Sequence, residues 1–243
     1  MTNALPTTTA NSIFVVVDSQ RVDFMKAIIM GAAGTPYAHG AFVYDIFFED
    51  KYPEGPPKVN LMTTGGGSVR FNPNLYNEGY VCLSLLGTWR GNNPTEGWSA
   101  KVSTLMQVLL SVQAIVMSNE VYFNEPGYEG QMGTPHGEAL NNGYKNVVKW
   151  ATVKYAILEQ IRNPPRGFEE VIRMNYFLKK DMILAEIDEW LSVAKEEEVQ
   201  WCGFNHAIES RFKQSKEKYH DELLGLKKDL VKEFEKMTSP WLT

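Results

Sequence analysis

The stretch GAFVYDIFFEDKYPEGPPKVNLMTT, residues 40–64, decides the fold. Its two halves are rich in aromatic and β-branched residues, which favour strands, and the prolines and glycine of KYPEGPP between them favour a turn. Two earlier runs have the same strand-like composition, SIFVVVD at 12–18 and DFMKAIIMG at 23–31. Strands at this spacing, joined by Gly/Pro turns, predict an antiparallel meander sheet of about four strands.

Apolar residues recur at helical spacing in several stretches after residue 98. These stretches are 99–116, with Ser99 as the N-cap, 147–161, 168–178, 183–191 and 208–234. The last predicts one long amphipathic helix whose narrow apolar stripe packs against its own domain, with a partner helix as the alternative. Strands followed by helices indicate the α+β class, because βαβ units would alternate the two.

Composition and charge argue against several classes of protein. With 243 residues, 44% of them hydrophobic, the chain suffices for one compact domain with an extension or for two small domains. A net charge of −5 argues against nucleic-acid binding. The polar N-terminus MTNALPTTTANS does not resemble a signal peptide, and the apolar stretches are too short to span a bilayer. We therefore expect a soluble cytoplasmic protein with no membrane insertion.

The two cysteines, Cys82 and Cys202, show no CxxC spacing, which argues against a disulfide framework or a metal site. Cys82 lies in a long irregular region, 65–98, and such regions in compact domains are usually functional. Most free cysteines, however, are small buried hydrophobes. A cysteine hydrolase would need a base to form the thiolate. The histidines, none of which has a recognisable motif around it, are His39, His136, His206 and His220.

Cys82 could instead act as a carrier of an acyl group that arrives already activated as a thioester. Such a carrier needs a positioned amine and a group that stabilises the oxyanion. Asn74 lies eight residues before Cys82 and ends the turn Asn72-Pro73-Asn74. The proline of this turn fixes the backbone that supports the Asn74 amide. A thiol with an ordinary pKa of about 8.5 is partly protonated at neutral pH, which this role tolerates. The alternative is that Asn-Pro-Asn simply makes a good turn.

Together these residues form a pattern that resembles the ubiquitin-conjugating enzyme family over residues 22–130. The markers, in chain order, are Tyr37, Tyr52-Pro53, Pro56-Pro57, Pro73-Asn74, Cys82 and Trp98. The resemblance implies that family's fold and an enzyme whose Cys82 receives ubiquitin, or a ubiquitin-like protein, from an activating enzyme and passes it to a substrate lysine. It also implies that Asn74 supports the oxyanion or the loop, and that no cofactor is needed because ATP is consumed upstream. The alternatives are an inactive ubiquitin-binding module of the same fold and a cysteine hydrolase.

Two further segments are similar to the conjugating domain of giant BIR-containing inhibitors of apoptosis, in which conjugating and ligase activities share one chain. They are FNEPGYE at 123–129 and ATVKYAILEQIRNPP at 151–165. The resemblance places Glu125, with Asn124 beside it, where an acidic residue orients or deprotonates the incoming lysine. It implies that this chain is a fragment or a short relative of such a protein.

Several positions depart from the family pattern. A first helix that helps to dock the activating enzyme has no counterpart in residues 1–21. The resemblance places the contacts with RING-type ligases on Leu61, Trp98, Ala100 and Lys101, where Leu61 replaces the family's aromatic residue and Ala100-Lys101 replaces its Pro-Ala pair. These changes fit an enzyme that does not depend on separate RING partners.

The predicted organisation has three parts. Residues 1–12 form a disordered N-terminus, 13–178 form the conjugating domain, and 179–243 form a C-terminal helical extension. We expect the extension to brace the domain. The alternative is a docking arm for a substrate or for the rest of a larger chain.

Overall fold

The computed structural model describes residues 11–89, 97–193, 199–215 and 217–237. Its sheet is an antiparallel meander whose strands follow one another in chain order. The strands are β1 Ile13–Val17, β2 Phe24–Met30, β3 Ala41–Phe47 and β4 Lys58–Leu61. The predicted meander and the α+β class are therefore confirmed.

The N-terminus joins the sheet slightly earlier than predicted. Residues 1–10 of the predicted disordered segment lie outside the described residues. Ser12, its last residue, is only 4% exposed, and its carbonyl accepts a hydrogen bond from the Met30 N–H at 3.0 Å. The prediction of disorder is therefore wrong for Ser12, because this residue extends the pairing of β1 with β2.

The sheet and the loop that follows it share an aromatic core. On β2, all residues from Ala27 to Met30 are buried, so both faces of this part of the strand are covered. Phe42 on β3 makes edge-to-face contacts with Tyr37 and Phe71, at ring-centroid distances of 5.7 and 5.1 Å. These contacts tie the sheet to the segment that leads into the Asn-Pro-Asn turn.

The first helix, α1 Leu105–Ser111, continues as a π-helical segment, Val112–Val116. Its N-cap is Thr104, whose hydroxyl accepts a hydrogen bond from the Gln107 N–H while the Gln107 side chain accepts one from the Thr104 N–H. The predicted N-cap, Ser99, is wrong, because Ser99 lies in a separate turn before the helix.

The second helix, α2 Pro135–Ala151, continues through a π-helical segment, Thr152–Leu158, into α3 Glu159–Arg162. It ends before Asn163-Pro164-Pro165 as predicted, because these prolines cannot continue it. It begins earlier than predicted, because Thr134 caps its first turn and a proline occupies the first helical position.

A single long helix, α4 Glu169–Val193, replaces the two helices predicted at 168–178 and 183–191. The residues between them, LKKDM at 178–182, include no glycine or proline, so nothing interrupts the helix. The predicted boundary between the conjugating domain and the extension, at 178–179, therefore falls within a continuous helix.

The C-terminal stretch forms two helices, α5 His206–Phe212 and α6 Lys218–Lys236, where one was predicted over 208–234. The run KQSKE at 213–217 supplies no apolar residue to hold a continuous helix on the core. The buried apolar residues of both helices join the same core as the sheet, which confirms that the stripe packs against its own chain. None of the helices in the described part of the chain is long and apolar enough to cross a membrane.

Candidate active site

The Asn-Pro-Asn turn is anchored in the core by the side chain of Asn72, which is fully buried. Its Nδ2 donates to the Tyr37 hydroxyl oxygen at 3.0 Å and to the Val116 carbonyl at 2.9 Å, and its Oδ1 accepts from the Asn74 N–H at 2.9 Å. The Tyr37 hydroxyl donates onward to the Phe71 carbonyl at 2.9 Å. Because each of these polar atoms has a partner, the network holds the turn in one arrangement.

Asn74 is joined to Cys82 by two hydrogen bonds. Its Nδ2 donates to the Cys82 carbonyl at 3.0 Å, and the Cys82 N–H donates to the Asn74 carbonyl at 2.8 Å. The sequence left two roles for Asn74, support of the oxyanion or of the loop. In this geometry the amide is engaged with the backbone that carries the sulfur, which favours support of the loop.

The sulfur of Cys82 is bonded to the loop that directly follows it, which the structure describes up to residue 89. The residue is 8% exposed, and its Sγ–H donates to the Thr88 carbonyl at 3.3 Å. The Thr88 hydroxyl accepts from the Leu83 N–H at 2.9 Å and donates to the Val81 carbonyl at 2.8 Å. Thr88 therefore closes this loop against the backbone on both sides of Cys82. Motif analysis missed Thr88, since no family marker falls on it.

The environment raises the pKa of the Cys82 thiol. Burial is the main cause, because it disfavours the thiolate. The positive charge of Arg70 acts in the opposite direction, and the negative charge of Glu125 adds to the rise. The expectation of an ordinary thiol pKa is therefore wrong, and the resting thiol is protonated at neutral pH.

Glu125 is held beside this site by an ion pair. It follows a short 3₁₀ turn, Tyr122–Asn124, and its Oε2 lies 3.6 Å from Nη2 of Arg70. Both side chains are partly shielded, with 31% of Glu125 and 19% of Arg70 exposed. Asn124, predicted beside Glu125 as a lysine-orienting residue, donates through Nδ2 to the Val116 carbonyl at 3.3 Å, so its amide also fixes the loop.

Arg70 is a component of the site that sequence analysis missed. Its guanidinium carbon lies 4.1 Å from the ring centre of Tyr76 and 4.9 Å from that of Phe204. Its Nη2 donates to the Pro73 carbonyl at 2.6 Å, and its N–H donates to Oδ1 of Asn205 at 2.8 Å. The available signal was a basic residue just before the Asn-Pro-Asn turn, but its partners from the extension lie far away in the sequence.

One residue predicted to contact a ligase is not on the surface. Leu61 ends β4 and is 1% exposed, because its side chain belongs to the main core. Leu61 cannot contact a partner from this position, and the prediction is wrong. The neighbouring Met62 is 49% exposed and presents an apolar side chain in its place.

The other predicted contact residues differ in exposure. Trp98 donates through Nε1 to the Pro53 carbonyl at 2.7 Å and lies 5.9 Å from the ring of Tyr52, so it fixes the Pro-rich turn. Ala100 is half-buried and Lys101 is exposed. A ligase contact at these positions stays a prediction.

The remaining cysteine and the histidines lie outside the site. Burial raises the pKa of Cys202 to about 12, and its Sγ lies 3.7 Å from Oε1 of Glu209. In the described residues, which include every histidine, none is hydrogen-bonded to the Cys82 sulfur. The base that a cysteine hydrolase requires is therefore not in place. The same part of the chain contains no cluster of three or more metal-ligating side chains.

His39 is buried beside α4 in a strained conformation. It is 2% exposed and has a φ of 62°, which side chains other than glycine rarely adopt. Its Nε2 lies 3.9 Å from Oε2 of Glu186. Burial, followed by the positive charge of Lys179, lowers the pKa of His39 to about 4. This histidine is thus neutral in the folded protein at neutral pH.

Comparison with known proteins identifies relatives of the whole region. The family model described as ubiquitin-conjugating enzyme matches residues 3–150. The human protein named dual E2 ubiquitin-conjugating enzyme/E3 ubiquitin-protein ligase BIRC6 is 50% identical over 192 residues, which are 79% of this chain and 4% of that protein. A probable ubiquitin-conjugating enzyme of Caenorhabditis elegans, protein 17, is 48% identical over 78% of this chain and 26% of its own length.

A plant relative is closer in length to this chain. The putative ubiquitin-conjugating enzyme E2 38 of Arabidopsis thaliana is 39% identical over 93% of this chain and 68% of its own length. The chain thus spans a small part of the human and nematode relatives and about two thirds of the plant one. The match to the family model also confirms the predicted family and its fold.

Proposed function

The chain belongs to the ubiquitin-conjugating enzyme family, and from that premise we propose that Cys82 accepts ubiquitin, or a ubiquitin-like protein, from an activating enzyme and transfers it to a lysine of a substrate protein. The observation that carries the proposal is the pairing of Cys82 with Asn74, beside the ion pair of Arg70 and Glu125. Each step exchanges one acyl bond for another, so the chemistry needs no redox group.

Loading begins when the Cys82 thiol leaves the Thr88 carbonyl and loses its proton. The thiolate attacks the carbonyl carbon of the modifier's C-terminal glycine, which the activating enzyme presents as a thioester. A C–S bond to Cys82 forms as the C–S bond to the activating enzyme breaks, and the leaving thiolate takes up a proton. Because burial raises the pKa of Cys82, we expect proton removal to limit loading at neutral pH.

Transfer begins when the neutral amine of a substrate lysine attacks the thioester carbonyl. A C–N bond forms, the C–S bond to Cys82 breaks, and the amine loses a proton while the departing thiolate regains one. The carboxylate of Glu125 is suited to orient the amine and to receive its proton. The amide of Asn74 keeps the backbone of Cys82 in place through both steps.

A loading assay tests the proposal. The protein is incubated with activating enzyme, ATP and ubiquitin, and the product is separated with and without a reducing agent. We expect an adduct that the reducing agent removes, an adduct resistant to it in Cys82→Ser, and none in Cys82→Ala. Repeating the assay with ubiquitin-like proteins and their activating enzymes identifies the modifier. Binding of ubiquitin without any adduct would identify an inactive binding module instead.

We further propose that the domain works within a larger chain that also supplies ligase function. This follows the dual name of the human relative and the departures at Ala100 and Lys101. If this is right, the loaded protein modifies lysines at the same rate with and without added RING ligases.

A reducing compartment such as the cytoplasm suits this chemistry, since an oxidised Cys82 could not be loaded.

A further inference from the structure

We propose that Arg70 is a positioning residue for lysine transfer, which the C-terminal extension holds in place through Phe204 and Asn205 and which acts through the carboxylate of Glu125. The inference rests on the proposed function, because it assigns Arg70 a part in the same transfer step. It also gives the extension a place in the active site, beyond the residues 3–150 that match the family model.

The guanidinium of Arg70 is enclosed on several sides. The ring of Tyr76, from the loop before Cys82, lies 4.1 Å from the guanidinium carbon, and the ring of Phe204, from the extension, lies 4.9 Å from it. An aromatic face attracts a guanidinium and stacks on its plane. With Nη2 also bonded to the Pro73 carbonyl at 2.6 Å, the group has little freedom to rotate.

The backbone N–H and carbonyl of Arg70 are also fixed by hydrogen bonds. Its N–H donates to Oδ1 of Asn205 at 2.8 Å, and its carbonyl accepts from Nδ2 of Asn205 and from the Tyr144 hydroxyl, each at 3.0 Å. A single carboxamide from the extension therefore bonds both polar groups of this residue, as a neighbouring strand would. The segment before the Asn-Pro-Asn turn gains a partner that the sheet does not provide.

The segment that carries Phe204 and Asn205 is itself organised by a buried acid. Glu209 is fully buried on α5, and its carboxylate accepts from the Gly203 N–H at 2.8 Å and from the Asn205 N–H at 3.2 Å. These bonds fix the chain just before α5. Support thus runs from α5 through Asn205 to Arg70, and from Arg70 to Glu125.

The consequence for chemistry lies in the carboxylate of Glu125. A glutamate in a loop samples many rotamers, and ordering it costs conformational entropy. The charge of Arg70, 3.6 Å away and itself immobilised, confines that carboxylate on the side of Cys82 before a lysine arrives. The same positive charge opposes the effect of burial on the Cys82 thiol. The immobilised guanidinium of Arg70 therefore contributes both to the loading of Cys82 and to the transfer to lysine.

The first test compares Arg70→Met and Arg70→Lys with Arg173→Met, a matched control whose partner is Glu170 on the surface of α4. Cys82 is loaded with ubiquitin, the activating enzyme is stopped, and discharge is followed over a range of free lysine concentrations. We expect Arg70→Met to lower the limiting rate about tenfold with a smaller change in KM. Arg70→Lys should recover part of the loss, and Arg173→Met should match the wild type.

A second readout separates positioning from simple structural support. The rate at which iodoacetamide alkylates Cys82 is measured against pH. Loss of the positive charge in Arg70→Met should raise the pKa of Cys82 and shift the profile to higher pH, whereas Glu125→Gln should shift it to lower pH. Shifts in opposite directions would not follow from a general loosening of the fold.

The contribution of the extension is tested by Phe204→Leu, which keeps an apolar side chain but removes the ring. We expect discharge to slow several-fold with loading retained, and thermal unfolding shows whether each variant is folded. If Arg70→Met does not fold, Arg70→Lys and Phe204→Leu decide the question.

Discharge at the wild-type rate by these variants, with slow discharge by Glu125→Gln, would overturn this inference and leave the proposed function intact. A wild-type protein that loads no modifier would overturn the proposed function itself.

Discussion

The side-chain amide of Asn74 donates to the carbonyl oxygen of Cys82 at 3.0 Å, and the N–H of Cys82 donates to the carbonyl of Asn74 at 2.8 Å. The two bonds fix the backbone of the cysteine without using its sulfur. The thioester carbonyl would therefore form at a point set by the turn, and not by a flexible loop.

Replacing Asn74 with alanine should separate the two steps of the reaction. We expect a loss of about 1 kcal/mol in the free energy of unfolding, since one hydrogen bond is removed. Loading should persist at a reduced rate, while discharge to lysine should slow by about tenfold, because the backbone that carries the thioester is no longer held in place. Single-turnover loading and discharge measure both effects. Normal lysine discharge by Asn74→Ala would contradict the role of this residue.

Replacing Asn72 with alanine should mainly affect stability. The change leaves the buried Val116 carbonyl without its Asn72 donor and opens a small cavity. We expect the free energy of unfolding to fall by about 2–4 kcal/mol, which urea denaturation measures. Asn77→Ala is the matched control, because it removes a more exposed amide bonded to the Gly67 carbonyl, and should cost about 0.5 kcal/mol. Equal losses from both variants would argue against a central role for Asn72.

Thr88→Val should make the Cys82 sulfur more reactive. The substitution keeps the shape of the side chain but removes the hydroxyl that bonds to Leu83 and Val81, so the loop over the sulfur should open more often. We expect several-fold faster alkylation of Cys82 by iodoacetamide, measured by peptide mass spectrometry. Cys202 provides the internal control, since its rate should not change. An unchanged rate at Cys82 would show that Thr88 does not limit access.

The buried His39 should make the fold sensitive to mild acid. Its pKa is lowered to about 4 in the folded state, while the unfolded chain has the ordinary value of about 6.5. The unfolded state therefore binds a proton first, and the free energy of unfolding should fall as the pH drops from about 6.5 to about 4. His39→Asn, which tolerates the left-handed backbone, should flatten this part of the curve in urea titrations. Parallel curves for the two proteins would exclude His39 as the cause.

Local sequence patterns predicted the sheet well and the helix ends poorly. The strands are runs of aromatic and β-branched residues bounded by Gly/Pro turns, and both signals depend on neighbouring residues alone. The helix ends depend on which hydroxyl reaches the first turn, so Thr104 was missed in favour of Ser99. The break before α6 falls in the run 213–217, which has no apolar residue, and it was missed because Phe212 and Tyr219 still fit the seven-residue step of one stripe.

Some residues of the candidate site could be predicted from the sequence and others could not. The order of Asn74, Cys82 and Glu125 follows a family pattern, so the sequence was sufficient to select them as candidates. The contact between Arg70 and Asn205 joins residues 135 positions apart, and no local pattern predicts it. The burial of Leu61 was also invisible, since a leucine at the end of a strand suits either a core or a surface contact.

With Arg70 acting as proposed, the carboxamide of Asn205 also sets a lower limit on the length of chain needed for rapid lysine transfer. A truncation after α4 would keep the sheet, the cysteine and everything that matches the family model, yet would remove both the ring and the amide that secure Arg70. The same truncation would also remove the side chains that α5 and α6 contribute to the core. On the proposed role of Arg70, the unit needed for rapid lysine transfer reaches at least to α5.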